Sequence, residues 1–155
     1  MTHDDVKSYY LAQVFEEAKN LKEDYCLVVP TFANKILDFI LNYPSLDGLT
    51  ELDFNMIRDI VQSDDKPKIT YTLHLLALKP HDVLKWVFYT ENDNDRYYFE
   101  PVEMAQILSN KTYYNPLTGE EVTKKEFSEL INTVFGLSDD FKSRVTCNRE
   151  LGLHH

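Results

Sequence analysis

Apolar side chains recur every three or four residues in the N-terminal part of the chain, and this spacing constrains the fold more than any other feature. In residues 1–24 the stripe consists of Tyr10, Leu11, Val14, Phe15, Ala18 and Leu21. Because an α-helix completes a turn in about 3.6 residues, these side chains share one face. Thr2 and Asp5 have the spacing of a helix cap. The pattern predicts a first helix over residues 1–24 that packs on a core.

Two more helices are predicted in the N-terminal half. After a short apolar run at residues 26–29, Pro30 begins a segment whose apolar residues cover well over half of a helix surface, and Pro44 ends it. Thr50 and Asp53 then match the spacing of a capping box before another apolar stripe. The sequence therefore predicts an N-terminal group of three helices.

The apolar period changes from helical to two after this group. Apolar and polar residues alternate from Ile69 to Leu75, which predicts a strand over residues 68–78. Residues 83–90 and 96–99 are rich in strand-forming side chains and flank the polar tip 91–95. This arrangement predicts a β-hairpin.

The C-terminal part has the signals of further helices. Pro101 suits the first turn of a short helix over residues 102–108. Thr123 and Glu126 form a capping box that starts a second helix, whose apolar face continues to Phe135. One more helical turn or two is expected at 138–145.

Together these elements predict an α+β fold with an N-terminal three-helix group, a small antiparallel sheet containing the hairpin, and C-terminal helices. A single globular domain over residues 1–145 and a flexible tail at 146–155 are expected. The element order resembles that of a winged helix, whose third helix would enter the DNA major groove. Residues 50–62 oppose that use, because Arg58 is their only basic residue.

The charge of the chain points to a protein partner. The net charge is −10, and residues 1–65 hold 13 acidic and 5 basic residues. Such a surface repels phosphate backbones and attracts basic proteins, so no direct nucleic-acid binding is expected. No apolar stretch approaches the roughly 20 residues of a membrane span, and residues 1–20 lack a signal peptide's pattern. A cytoplasmic protein without a membrane contact is predicted.

Motifs for catalysis, metal binding or cofactor binding are missing from the sequence. Neither a Gly-x-Ser-x-Gly elbow nor a glycine-rich phosphate loop occurs, and the cysteines and histidines lack zinc spacing. Asp93 and Asp95 have the spacing of calcium ligands, but Tyr98 stands where the loop requires glycine. Cys26 and Cys147 are expected to be free thiols. No catalytic residue, metal or cofactor is predicted.

The sequence favours a non-catalytic acidic module that binds another protein, as inhibitors and immunity-type proteins bind basic enzymes. The predicted contact residues are aromatic and acidic side chains on and beside the hairpin: Trp86, Tyr89, Asp93, Asp95, Tyr97 and Tyr98. Core packing of these rings between helices is the alternative for the segment.

Two alternatives remain for the whole chain. One is a small enzyme whose site assembles only in three dimensions, and the candidates for it are Cys26, Tyr71, His74 and His81. The other is a structural subunit whose exposed rings are covered by its own copies.

Overall fold

A computed structural model describes residues 3–78 and 82–153 and confirms the α+β class. Its helices are α1 His3–Ala18, α2 Glu23–Leu41, α3 Phe54–Val61, α4 Lys66–Ala77, α5 Pro101–Asn110, α6 Lys124–Leu130 and α7 Asp139–Leu153. Its strands are β1 Leu84–Glu91, β2 Arg96–Tyr98, β3 Tyr113–Tyr114, β4 Glu121–Val122 and β5 Asn132–Leu137. No helix in these two ranges has the length and apolar character needed to cross a bilayer.

The chain forms two compact units. The helical unit comprises Met1–Lys85 and Phe135–His155, and the hairpin unit comprises Trp86–Val134. In the sequence, the hairpin unit is thus an insertion between two segments of the helical unit. The single domain over residues 1–145 stays a prediction.

Helix α2 lies at the centre of the helical unit and packs against α1, α3 and α4. The predicted stripe on α1 is confirmed at Tyr10, Val14 and Ala18, which are buried, whereas Phe15 is 53% exposed. The predicted cap Thr2 lies outside the described residues.

The starts of α2 and α3 differ from the predictions. Helix α2 begins at Glu23 rather than at Pro30, so it includes the apolar run at 26–29 and contains Pro30 in its interior. Burial of Val29 and Pro30 offsets the free-energy cost of the backbone hydrogen bond that proline cannot donate. Helix α3 is capped by Asp53 instead of Thr50, since the Asp53 carboxylate accepts from the Met56 amide at 2.8 Å.

The strand predicted over residues 68–78 is wrong, because this segment is α4. The Asp65 side chain caps the helix by accepting from the Lys68 amide, and Pro67 lies in the first turn. The buried positions 69, 72, 73 and 76 follow the helical period. The element order therefore differs from that of a winged helix in two places. Helix α4 takes the place of the predicted strand, and the apolar run at residues 26–29 is part of α2.

The helix predicted from Thr123 to Phe135 is correct only in its first half. The capping box of Thr123 and Glu126 is confirmed, but α6 ends at Leu130 and the next residues form β5. Phe135 instead exchanges two backbone hydrogen bonds with Leu52, at 2.7 and 2.9 Å. Helix α7 then continues through most of the tail at 146–155, whose flexibility stays a prediction.

The hairpin is confirmed: β1 and β2 pair antiparallel with Tyr89 opposite Tyr98, and the strand order of the three-stranded sheet is β2-β1-β5. Strands β3 and β4 form a second, two-stranded sheet. A separate core of the hairpin unit contains Phe99, Met104, Ile107 and Phe127.

Candidate protein-binding surface

The polar tip of the hairpin is a hydrogen-bonded turn. The Asn92 side-chain oxygen accepts from the amides of Asn94 at 2.9 Å and Asp95 at 2.8 Å, which is the bonding of an Asx turn. The Asn92 amide also donates to the Asp95 carbonyl at 2.9 Å. This turn presents the exposed carboxylates of Asp93 and Asp95.

Alternation along the two strands separates the aromatic residues of the hairpin onto opposite faces. One face, here called the outer tyrosine face, consists of Tyr89, Glu91, Arg96 and Tyr98. The opposite face includes Phe88 and Tyr97, which pack against the core of the hairpin unit.

Arg96 contacts the three other residues of the outer tyrosine face. Its guanidinium lies 4.2 Å from the centre of the Tyr89 ring and donates to the Glu91 carboxylate at 2.9 and 2.8 Å. A further hydrogen bond of 3.1 Å runs to the Tyr98 hydroxyl. The hydrogen bonds to Tyr98 and Glu91 raise the pKa of Arg96, so its guanidinium stays protonated. Tyr98 is nevertheless 49% exposed, and its ring centre lies 5.7 Å from that of Tyr89.

The six predicted contact residues thus occupy three places, which are the outer tyrosine face, the tip and the opposite face of the hairpin. Tyr89 and Tyr98 lie on the outer tyrosine face, and Asp93 and Asp95 are at the tip. Trp86 is partly buried and stacks on Phe88 at 6.1 Å between ring centres. The remaining residue, Tyr97, contacts Phe99 edge to face at 5.2 Å.

Sequence reasoning missed Arg96, because the predicted tip at 91–95 places Thr90 opposite it. In the structure the connecting loop is 92–95, so Arg96 lies opposite Glu91, where opposite charges stabilise a strand pair. The arginine also lowers the negative charge beside the rings, so the acidic character of this surface belongs mainly to the tip.

The carboxylate of Glu103 forms a second polar centre in the hairpin unit, together with two tyrosines. The Tyr97 hydroxyl donates to it at 2.8–2.9 Å and the Tyr114 hydroxyl at 2.7 Å. Burial raises the pKa of Glu103, but the hydrogen bonds from Tyr114 and Tyr97 outweigh that effect and lower it. The same carboxylate, aided by burial, raises the pKa of Tyr97 and raises that of Tyr114 to about 12. Sequence reasoning missed this cluster, because its members come from β2, α5 and β3.

These shifts predict alkaline destabilisation of the hairpin unit. The ordinary tyrosine pKa is 10.0 and the pKa of Tyr114 in the folded chain is about 12. The stabilisation that Tyr114 gains from its hydrogen bond to Glu103 is therefore complete below pH 10.0. It is lost as the pH rises through about 12. We expect the urea midpoint, followed by Trp86 fluorescence, to fall across this range.

The variant Tyr114→Phe serves as the control for that titration. It removes the ionisable hydroxyl, so the fall in the urea midpoint should be smaller than in the wild type. An equal fall in both proteins would show that the Tyr114 hydroxyl does not carry the pH dependence.

Three of the enzyme candidates lie on α2 and α4. Cys26 donates to the Glu23 carbonyl at 3.1 Å, and Tyr71 contacts the Tyr25 ring at 5.8 Å. His74 is exposed on α4, and His81 lies outside the described residues. A cleft of about 410 Å³ beside α7 is lined by other residues.

No protein-family model, no curated protein and no solved structure matches this chain.

Proposed function

We propose that this protein is a non-catalytic cytoplasmic module that binds a basic protein, in the manner of an inhibitor or immunity-type protein. The outer tyrosine face and the acidic tip form the contact. The observation that carries this proposal is the geometry of Tyr98, which is 49% exposed yet bonded through its hydroxyl to the Arg96 guanidinium at 3.1 Å.

Restraint of the rings favours tight binding. A ring that is already held by neighbouring groups loses little conformational freedom when a partner covers it. Tyrosine and arginine are also the residue types that most often dominate the energy of protein interfaces. Tyr89, Arg96 and Tyr98 therefore supply an anchor with a low entropic cost.

Charge supports a basic partner. The hairpin unit has nine acidic and four basic residues among its 49, a net charge of −5. Half of the net charge of the chain is thus in less than a third of its length. A field of this sign accelerates the approach of a basic surface, and the effect decreases with ionic strength.

The proposal is tested with two variants of the hairpin. The wild-type chain, Tyr98→Ala and Asp95→Lys serve as baits in parallel capture from the native host, and partners are quantified by mass spectrometry. Binding kinetics of a purified partner are then measured at low and high salt. Tyr98→Ala should weaken the complex about 30-fold, as expected for an interface anchor. Asp95→Lys should mainly slow association at low salt.

Matched controls lie in the helical unit. Tyr9→Ala removes a tyrosine that is 43% exposed, and Asp47→Lys reverses an exposed charge. Both should leave binding unchanged. Equal loss in controls and hairpin variants, or a partner without a basic surface, would contradict the proposal. Self-association abolished by Tyr98→Ala would instead support a homo-oligomeric subunit.

A further inference from the structure

A small cleft lies in the hairpin unit between α5 and the segment that leads into β3. Its volume is about 230 Å³. Its polar lining consists of Glu103, Gln106, Asn110, Thr112 and Tyr114. The first three of these side chains are three and four residues apart on α5 and so share one face of the helix.

The chemistry of the lining selects a cation with several N–H groups. Glu103 gives the cleft one negative charge, and the Tyr97 hydroxyl, the Tyr114 hydroxyl and the Glu100 amide supply three hydrogens to a carboxylate that can accept about four. The side-chain oxygens of Gln106 and Asn110 add neutral acceptors. An anion would meet the Glu103 charge, and an apolar group would make no hydrogen bond to these exposed acceptors.

The size of the cleft and the Tyr114 ring favour a guanidinium group. Drug-sized ligands occupy roughly 300–1,000 Å³, so about 230 Å³ suits one side chain. Guanidinium is planar, carries five N–H donors and stacks on aromatic rings, whereas ammonium is a compact and strongly hydrated charge.

We propose that this cleft binds an arginine side chain of the basic partner. The inference rests on the proposed function and adds a further contact to the outer tyrosine face and the acidic tip, namely one arginine of the partner beside the Glu103 carboxylate. Glu103, Gln106 and Asn110 accept its N–H groups, and the Tyr114 ring contacts its planar face.

The test uses the full-length chain and N-acetyl-arginine amide as the probe, followed by NMR at the side-chain amides of Gln106 and Asn110. N-acetyl-citrulline amide is the matched neutral ligand. We expect arginine to bind at least about tenfold more tightly than citrulline, because hydrogen bonds to a charged group exceed neutral ones by about that factor. Glu103→Gln should remove this preference. Asn110→Ala should weaken binding several-fold while leaving the Glu103–Tyr114 bond in place.

Glu129→Gln, an exposed change on α6, is the matched charge control and should bind arginine like the wild type. Equal binding of arginine and citrulline, or shifts at the Gln106 side-chain amide that persist in both cleft variants, would overturn the assignment. Agmatine binding about tenfold more tightly than the blocked arginine would assign the cleft to a small molecule and also overturn it.

The outcomes separate this inference from the proposed function. If the arginine probe fails while a basic partner still depends on Tyr98, only the cleft assignment is wrong. If the probe binds as expected while the captured partner is not basic, the proposed function is wrong and the cleft retains its preference for guanidinium.

Discussion

Leu37→Ala is expected to lower the free energy of unfolding by about 2–5 kcal/mol, because the change leaves a cavity among packed helices. Leu37 is 0% exposed in the middle of α2, the helix that packs against α1, α3 and α4. The measurement is urea unfolding followed by far-ultraviolet circular dichroism.

The same helix offers a matched control. Leu27 is 66% exposed, so Leu27→Ala removes the same atoms without opening a cavity. Its effect should stay within about 0.5 kcal/mol. Similar losses from the two variants would contradict the assignment of Leu37 to the centre of the core.

Phe127→Ala should lower the free energy of unfolding of the hairpin unit by about 3–5 kcal/mol. This ring is 4% exposed and lies 5.9 Å from the Phe99 ring and 5.3 Å from the Tyr113 ring. Trp86 is the only tryptophan of the chain and belongs to the hairpin unit, so its fluorescence reports on this change. Phe15→Ala, at a ring 53% exposed on α1, is the matched control and should have little effect.

Comparison of the two core variants also tests the predicted single domain. If the chain unfolds as one cooperative structure, Leu37→Ala and Phe127→Ala both shift the dichroism and the fluorescence transitions together. If each unit unfolds alone, Leu37→Ala shifts the dichroism transition and leaves the fluorescence transition in place. The second result would show that residues 1–145 are not a single domain.

Local signals in the sequence were sufficient to predict an element where one short-range interaction determines it. The Thr123 and Glu126 capping box starts α6, and the polar segment that follows Thr90 places the turn of the hairpin. In both cases the deciding interactions join residues close in the chain, so a short window of sequence contains them.

The two wrong predictions have different causes, a local helix cap in α4 and a tertiary contact in β5. In α4, alternating apolar residues from Ile69 to Leu75 also satisfy a helical face, and the cap at Asp65 settles the choice. In β5, Phe135 continues the apolar pattern of α6 but pairs with the backbone of Leu52. That partner is distant in sequence, so the periodicity around Phe135 gives no sign of it.

The candidate site was predicted only in part for a related reason. Strand alternation could have separated Tyr98 from Tyr97, but the predicted tip at 91–95 is one residue too long to place Arg96 opposite Glu91. The Glu103 cluster needs side chains from three elements, so its assembly depends on tertiary packing that periodicity does not describe.

Insertion of the hairpin unit between two segments of the helical unit affects how the chain can fold. In the helical unit, Arg144 donates to the Tyr10 hydroxyl across 134 residues of sequence. Closing so long a loop costs chain entropy that rises with the logarithm of its length. The 49 residues from Trp86 to Val134 have local pairings of their own, in the hairpin and in the β3–β4 pair. Early folding of this insertion shortens the loop that α7 must close, and so lowers the entropic barrier to its docking.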